Sequence, residues 1–113
     1  MTELSKETCS ACEIGAPLVP HDQQKELLKN LDGWIIDNSD TSKLTKEFKL
    51  NNYEKSIAFT NLIADLAESQ NHHPKITLEW GSVSLEWWSH KIKGLHMNDF
   101  ICAAKSDQIF DAL

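Results

Sequence analysis

KITLEWGSVSLEW (75–87) is the stretch whose reading decides the fold. Apolar and polar residues alternate on both sides of Gly81-Ser82, the pattern of two strands with one buried face. A Gly-first pair suits a tight two-residue turn, so the stretch reads as a β-hairpin. With Gly81-Ser82 as the turn, Trp80 opposes Val83, Leu78 opposes Leu85 and Ile76 opposes Trp87, and all six lie on one face. A one-residue slip would break that agreement. Carried outward, this register sets His73 across from His90, with Cβ atoms ~5 Å apart.

Upstream, Phe59, Leu62, Ile63, Leu66 and Ala67 recur at helical spacing, the clearest amphipathic stripe in the chain. Asn51 with Glu54 three residues on resembles a capping box at its start, and Pro74 limits its end to about Ser69 or Asn71. Before it, WIID (34–37) and KLTKEFKL (43–50) read as a second hairpin across NSDTS, with Leu44, Phe48 and Leu50 on one face. Lys46 shares that parity. Asp22 caps a short first helix carrying Leu27, Leu28 and Leu31, and Gly33 stops it. A last helix begins near His96 or Met97 and carries Cys102, Ala103, Ser106, Ile109, Phe110 and Leu113. The order α-β-β-α-β-β-α describes an α+β fold: a four-stranded antiparallel sheet with helices on one face.

Residues 1–20 read as a flexible N-terminal tail with a Cys-x-x-Cys, and 21–113 as a single domain. The chain has 113 residues, 41% of them hydrophobic and 25% charged, as expected of a globular protein. Its net charge is −6 and no Lys/Arg cluster occurs, which argues against nucleic-acid or anionic-membrane binding. No apolar run approaches the ~18 residues of a membrane helix, and the polar start is no signal peptide, so a cytoplasmic protein is expected. Cys9 and Cys12 have the spacing of half a zinc site, with Cys102 the one other cysteine and His21 a further candidate ligand to complete it. Cys102 itself falls on an apolar stripe and reads as core.

The chemistry-bearing stretch is ESQNHHP (68–74), with His90 sixteen residues past Pro74. Glu68 precedes His72 by four, within reach if the helix persists. Three imidazoles and a carboxylate thus converge at one end of the sheet. Neighbouring histidines in an extended segment point to opposite faces, which weakens a shared metal site, and no HExxH helix is present. Proton transfer fits better, because imidazole titrates near neutral pH and several together supply both donor and acceptor. Trp87 reads as core, whereas Trp88 shares a face with His90 and is the better ligand contact. Asp99, in the first turn of the last helix, is explained by the helix dipole alone.

Glu68-x3-His72-His73-Pro74, the aromatic Trp80, His90, Gly94-Leu95 and Asp99 together resemble the signature of the pterin-4a-carbinolamine dehydratases, also called 4a-hydroxytetrahydrobiopterin dehydratases. The likeness runs from about Leu27 to the C-terminus and includes Gly33-Trp34 and Phe59-Thr60-Asn61. TLEWGSVSLEWWSH, GLHMNDF and the leading Cys-x-x-Cys look most like the bacterial members that accompany phenylalanine hydroxylase. Lys75-Ile76-Thr77 lacks an aromatic that animal members carry there. The resemblance implies the same α+β fold, a homodimer or homotetramer, no metal and no organic cofactor. It implies loss of water from a 4a-hydroxy-tetrahydropterin, recycling the pterin of aromatic amino-acid hydroxylases. Carried over by position, it makes His72, His73 and His90 catalytic. Glu68, Asn71, Trp88, Ser89, Lys91 and Asp99 would then contact or support the substrate, with Glu68 tuning His72.

Overall fold

The structure, a computed structural model, describes residues 18–89 and 94–113. Its elements follow the expected order: α1 (His21–Leu28), β1 (Ile35–Asp37), β2 (Lys43–Lys49), α2 (Tyr53–Gln70), β3 (Lys75–Glu79), β4 (Ser82–Trp87) and α3 (Met97–Asp111). All strand pairs are antiparallel, in the spatial order β1-β2-β4-β3. The two hairpins therefore join through β2 and β4, leaving β1 and β3 as the open edges. No described helix is long and apolar enough to cross a membrane.

Alternation decides which side chains enter the core. Leu44 and Phe48 of β2 and Val83, Leu85 and Trp87 of β4 are buried on the face that α2 and α3 cover. Phe48 meets Phe59 of α2 and Phe110 of α3 at centroid separations of 4.9 and 5.0 Å. Phe59, Ile63, Leu66 and Ala67 bury the inner stripe of α2, while Leu62, expected there, stays exposed on its flank. Two helix starts shift by a residue or two. Asn52 rather than Asn51 caps α2, its side chain accepting the Lys55 N–H at 2.8 Å, and Pro20 rather than Asp22 precedes α1. Val19, expected in the tail, is buried, and its N–H donates to the Leu95 carbonyl at 2.9 Å.

The 75–87 hairpin forms, but two residues out of the expected register. Leu78 pairs with Val83, Ile76 with Leu85 and Glu79 with Ser82, so Trp80-Gly81 is the turn. A shift of two preserves the strand period, so Ile76, Leu78, Val83, Leu85 and Trp87 keep their expected face. Trp80 instead leaves the ladder and is 67% exposed. The cause is tertiary. The Leu50 N–H donates to the Gly81 carbonyl at 2.9 Å, and the buried Ser56 hydroxyl lies 2.9 Å from the Trp80 carbonyl. A Cβ at residue 81 would stand 3.1 Å from the Leu50 oxygen, so glycine permits this close approach.

Lys46, pointing coreward from β2, is satisfied by Asp107 of α3 at 2.8 Å and by the Asp32 carbonyl at 2.8 Å. Asp107 also accepts the Trp34 indole N–H at 3.0 Å. The connection that brings Asp32 and Trp34 here turns at Gly33, whose φ of +83° suits glycine.

Candidate active site

Two helix ends build the site. Helix α2 finishes at Asn71, which adopts a left-handed conformation (φ 50°, ψ 43°) that Asn tolerates better than most residues. The His72 N–H reaches back to the Ala67 carbonyl at 3.1 Å, closing the helix end. That reversal separates the adjacent histidines. His72 is turned inward and is 4% exposed, whereas the His73 side chain remains 55% exposed.

Helix α3 supplies the complement. His96 caps it, Nδ1 accepting the Asn98 N–H at 3.1 Å, while Asp99 Oδ2 accepts the His96 N–H at 2.9 Å. This is a capping box with His and Asp in place of the usual Ser or Thr and Glu. Asp99 Oδ2 also accepts the Ser89 hydroxyl at 2.8 Å, and Oδ1 lies 2.5 Å from His72 Nε2. A carboxylate can only accept, so this contact places a hydrogen on Nε2 of His72. Asp99 and Ser89 are wholly buried. The Trp87 ring lies nearly parallel to the His72 imidazole, 16° between planes and 5.6 Å between centroids. An edge contact and a face contact thus fix one histidine in a largely desolvated place, where charge-assisted hydrogen bonds are strong.

The expected site residues divide. His72, Ser89 and Asp99 come together. Glu68 does not reach His72; its Oε1 lies 2.8 Å from His73 Nε2, an exposed pair, because Asn71 ends the helical spacing on which the expectation rested. The register on which the opposition of His73 and His90 was expected is not the one observed, since Lys75 pairs with Glu86 and Ile76 with Leu85. Asp99 bridges His72 and Ser89. Trp88 is partly buried, with the Lys43 ammonium 4.5 Å from its ring centroid. Asn71 serves as the helix cap. His90, Lys91, Cys9 and Cys12 lie outside the described residues.

Among the described residues no group of three His, Cys, Asp or Glu side chains could hold a metal ion. None of their buried side-chain nitrogens or oxygens lacks a hydrogen-bond partner. Sequence reasoning missed two residues of the cluster. His96 stands three before Asp99, the capping-box spacing, and was legible on that ground. Trp87 carries only the strand alternation of a core residue, with nothing to mark its contact with His72.

The model of the family described as pterin 4 alpha carbinolamine dehydratase matches residues 17–109. The chain belongs to this family of dehydratases. A protein of Saccharophagus degradans with the provisional name pterin-4-alpha-carbinolamine dehydratase is 47% identical over 112 residues, 98% of this chain and 99% of its own length. One from Vibrio cholerae serotype O1, provisionally named likewise, is 50% identical over 89% of this chain and 94% of its own. The crystal structure of a transcriptional coactivator/pterin dehydratase from Brucella melitensis superposes with a TM-score of 0.77 at 25% identity, covering 82% of this chain and 98% of that one.

Proposed function

We propose that this protein dehydrates a pterin-4a-carbinolamine (4a-hydroxy-tetrahydropterin) to the quinonoid dihydropterin and water by histidine acid–base catalysis. The observation that carries the mechanism is the buried His72–Asp99 contact, placed at a helix end in a member of a dehydratase family.

Hydroxide leaves poorly from C4a. An imidazolium donates a proton to the C4a oxygen, the N5 lone pair expels water, and a second imidazole accepts the N5 proton. The acid's proton leaves in the water and the N5 proton goes to the base, so the substrate loses OH and H, and the pair resets when one proton returns from base to acid. His72 and His90 form this pair, and His73, steadied by Glu68, orients the pterin from the exposed side. Asp99, Ser89 and Asn71 act through His72 rather than on the substrate. Asp99 holds Nε2, so the proton that His72 exchanges is carried on Nδ1. Trp88 offers a face to the planar ring.

The reading extends to a cytoplasmic homodimer or homotetramer that recycles pterin for an aromatic amino-acid hydroxylase such as phenylalanine hydroxylase, without metal or organic cofactor. Two open sheet edges and the exposed Trp80, Tyr53 and Ile57 support self-association. The deciding experiment follows the ultraviolet absorbance of freshly generated 4a-carbinolamine with and without protein. Faster decay that saturates with substrate is expected; an unchanged rate overturns the proposal.

A further inference from the structure

We infer that Trp87, anchored by Ser106, is a positioning residue for His72 that fixes the plane of its imidazole. The inference rests on the function proposed above, and deepens it. A hydrogen bond along the Nε2–Oδ1 line directs the edge of the ring, and a flat partner on the ring face opposes tilting about that line. Trp87 is that partner, wholly buried and nearly parallel at 16°.

The indole is itself held. Its Nε1–H donates to Ser106 Oγ at 3.2 Å, and the Ser106 hydroxyl donates to the Cys102 carbonyl at 2.7 Å, which turns an oxygen lone pair toward the indole. Trp87 sits opposite Leu44 in the central strand pair, so its backbone is fixed from the other side. Asp99 and Ser106 are seven residues apart on α3, two turns along one buried face. A single helix face therefore sets the edge of His72 through Asp99 and its plane through Ser106 and Trp87. The indole face accommodates neutral imidazole and imidazolium alike, so the ring keeps its place through a proton-transfer cycle. A tryptophan that merely fills the core would do none of this.

The test compares Trp87→Leu, Trp87→Phe and Ser106→Ala in the full chain. It reads kcat and KM for carbinolamine dehydration together with the His72 ring-proton NMR shifts, which a stacked indole displaces. Trp87→Leu is expected to lower kcat about tenfold with KM held within about twofold, since small misplacements of a reacting group cost rate more than binding. Trp87→Phe should recover most of the loss. Ser106→Ala should lower kcat by about two- to threefold. A folded Trp87→Leu protein with wild-type kcat, or with unmoved His72 ring-proton shifts, overturns the inference. Should that variant not fold, Ser106→Ala decides, and wild-type kcat there overturns it equally. An unmodified protein that fails to dehydrate the carbinolamine is a different outcome, overturning the proposed function and this inference with it.

Discussion

Helix α3 presents a carboxylate at each end, and the two are built alike. Asp99 in the first turn meets His72, with Trp87 against the imidazole face; Asp107 in the last turns meets Lys46, beside Trp34. Each ties the helix to other elements of the fold. They differ in the cationic partner and in solvent. Lys46, an ammonium, retains with Asp107 about a fifth of its side-chain surface. His72, an imidazole, is almost wholly enclosed with Asp99. The same arrangement of carboxylate, base and indole is a half-open clamp at one end and, under the proposed function, an enclosed proton carrier at the other. Partner identity and burial make the difference.

The largest expected effect follows from breaking the first clamp. Asp99→Asn keeps the volume but sets an amide against the Ser89 hydroxyl or the His96 N–H. It should lower kcat by about 10²–10³-fold, within the range of acid–base groups, in a protein that still folds. Steady-state kinetics beside circular dichroism reads this; kcat within threefold of wild type would reduce Asp99 to a helix cap. His90→Ala should cost a similar ~10²–10⁴-fold in kcat without unfolding. Breaking the second clamp should do the reverse. Asp107→Asn should cost about 1 kcal/mol in denaturant unfolding, the upper range for partly exposed pairs, with kcat unchanged. Lost activity there would erase the contrast between the two ends.

Smaller effects sharpen the comparison outward from α3. Glu68→Gln loosens an exposed histidine, so KM should rise by a few fold while kcat and the thermal midpoint hold. A kcat loss as large as that of Asp99→Asn would put the chemistry on His73. The smallest effect concerns Glu47, whose carboxyl is held below its ordinary 4.5, first by the Ser82 hydroxyl and then by Lys49. A depressed carboxylate stabilises above its unfolded value and loses that contribution as pH falls through its folded one. Wild type should therefore exceed Glu47→Gln slightly at neutral pH, and the gap should close below about pH 4.5 in acid titrations followed by fluorescence. A gap that widens on acidification would contradict the sign.

Strand periodicity made the core face legible, and it survived an error in register because a two-residue shift leaves every side chain on its face. The turn position was not legible. It depends on Leu50 and Ser56 gripping the Trp80-Gly81 carbonyls, contacts from distant segments that no local pattern encodes. His72 and His73 were legible as candidate site residues through their spacing and family resemblance. Their partners were not: helical spacing assigned Glu68 to His72, and the left-handed turn at Asn71 gave it to His73 instead. Asp99 could be explained by the helix dipole alone, since its three partners lie on separate stretches of chain. Lys46 showed its coreward parity, but Asp107 sits sixty-one residues away.

The proposed mechanism turns on Asp99 holding His72 by a hydrogen on Nε2. Nitrogen-15 NMR of the imidazole rings in the intact protein, with His72 assigned by comparison with His72→Gln, tests it most directly. Nε2 should carry the ring hydrogen, its proton shifted downfield by the carboxylate. An Nε2 without a hydrogen, or one whose proton lacks that downfield shift, would contradict the account.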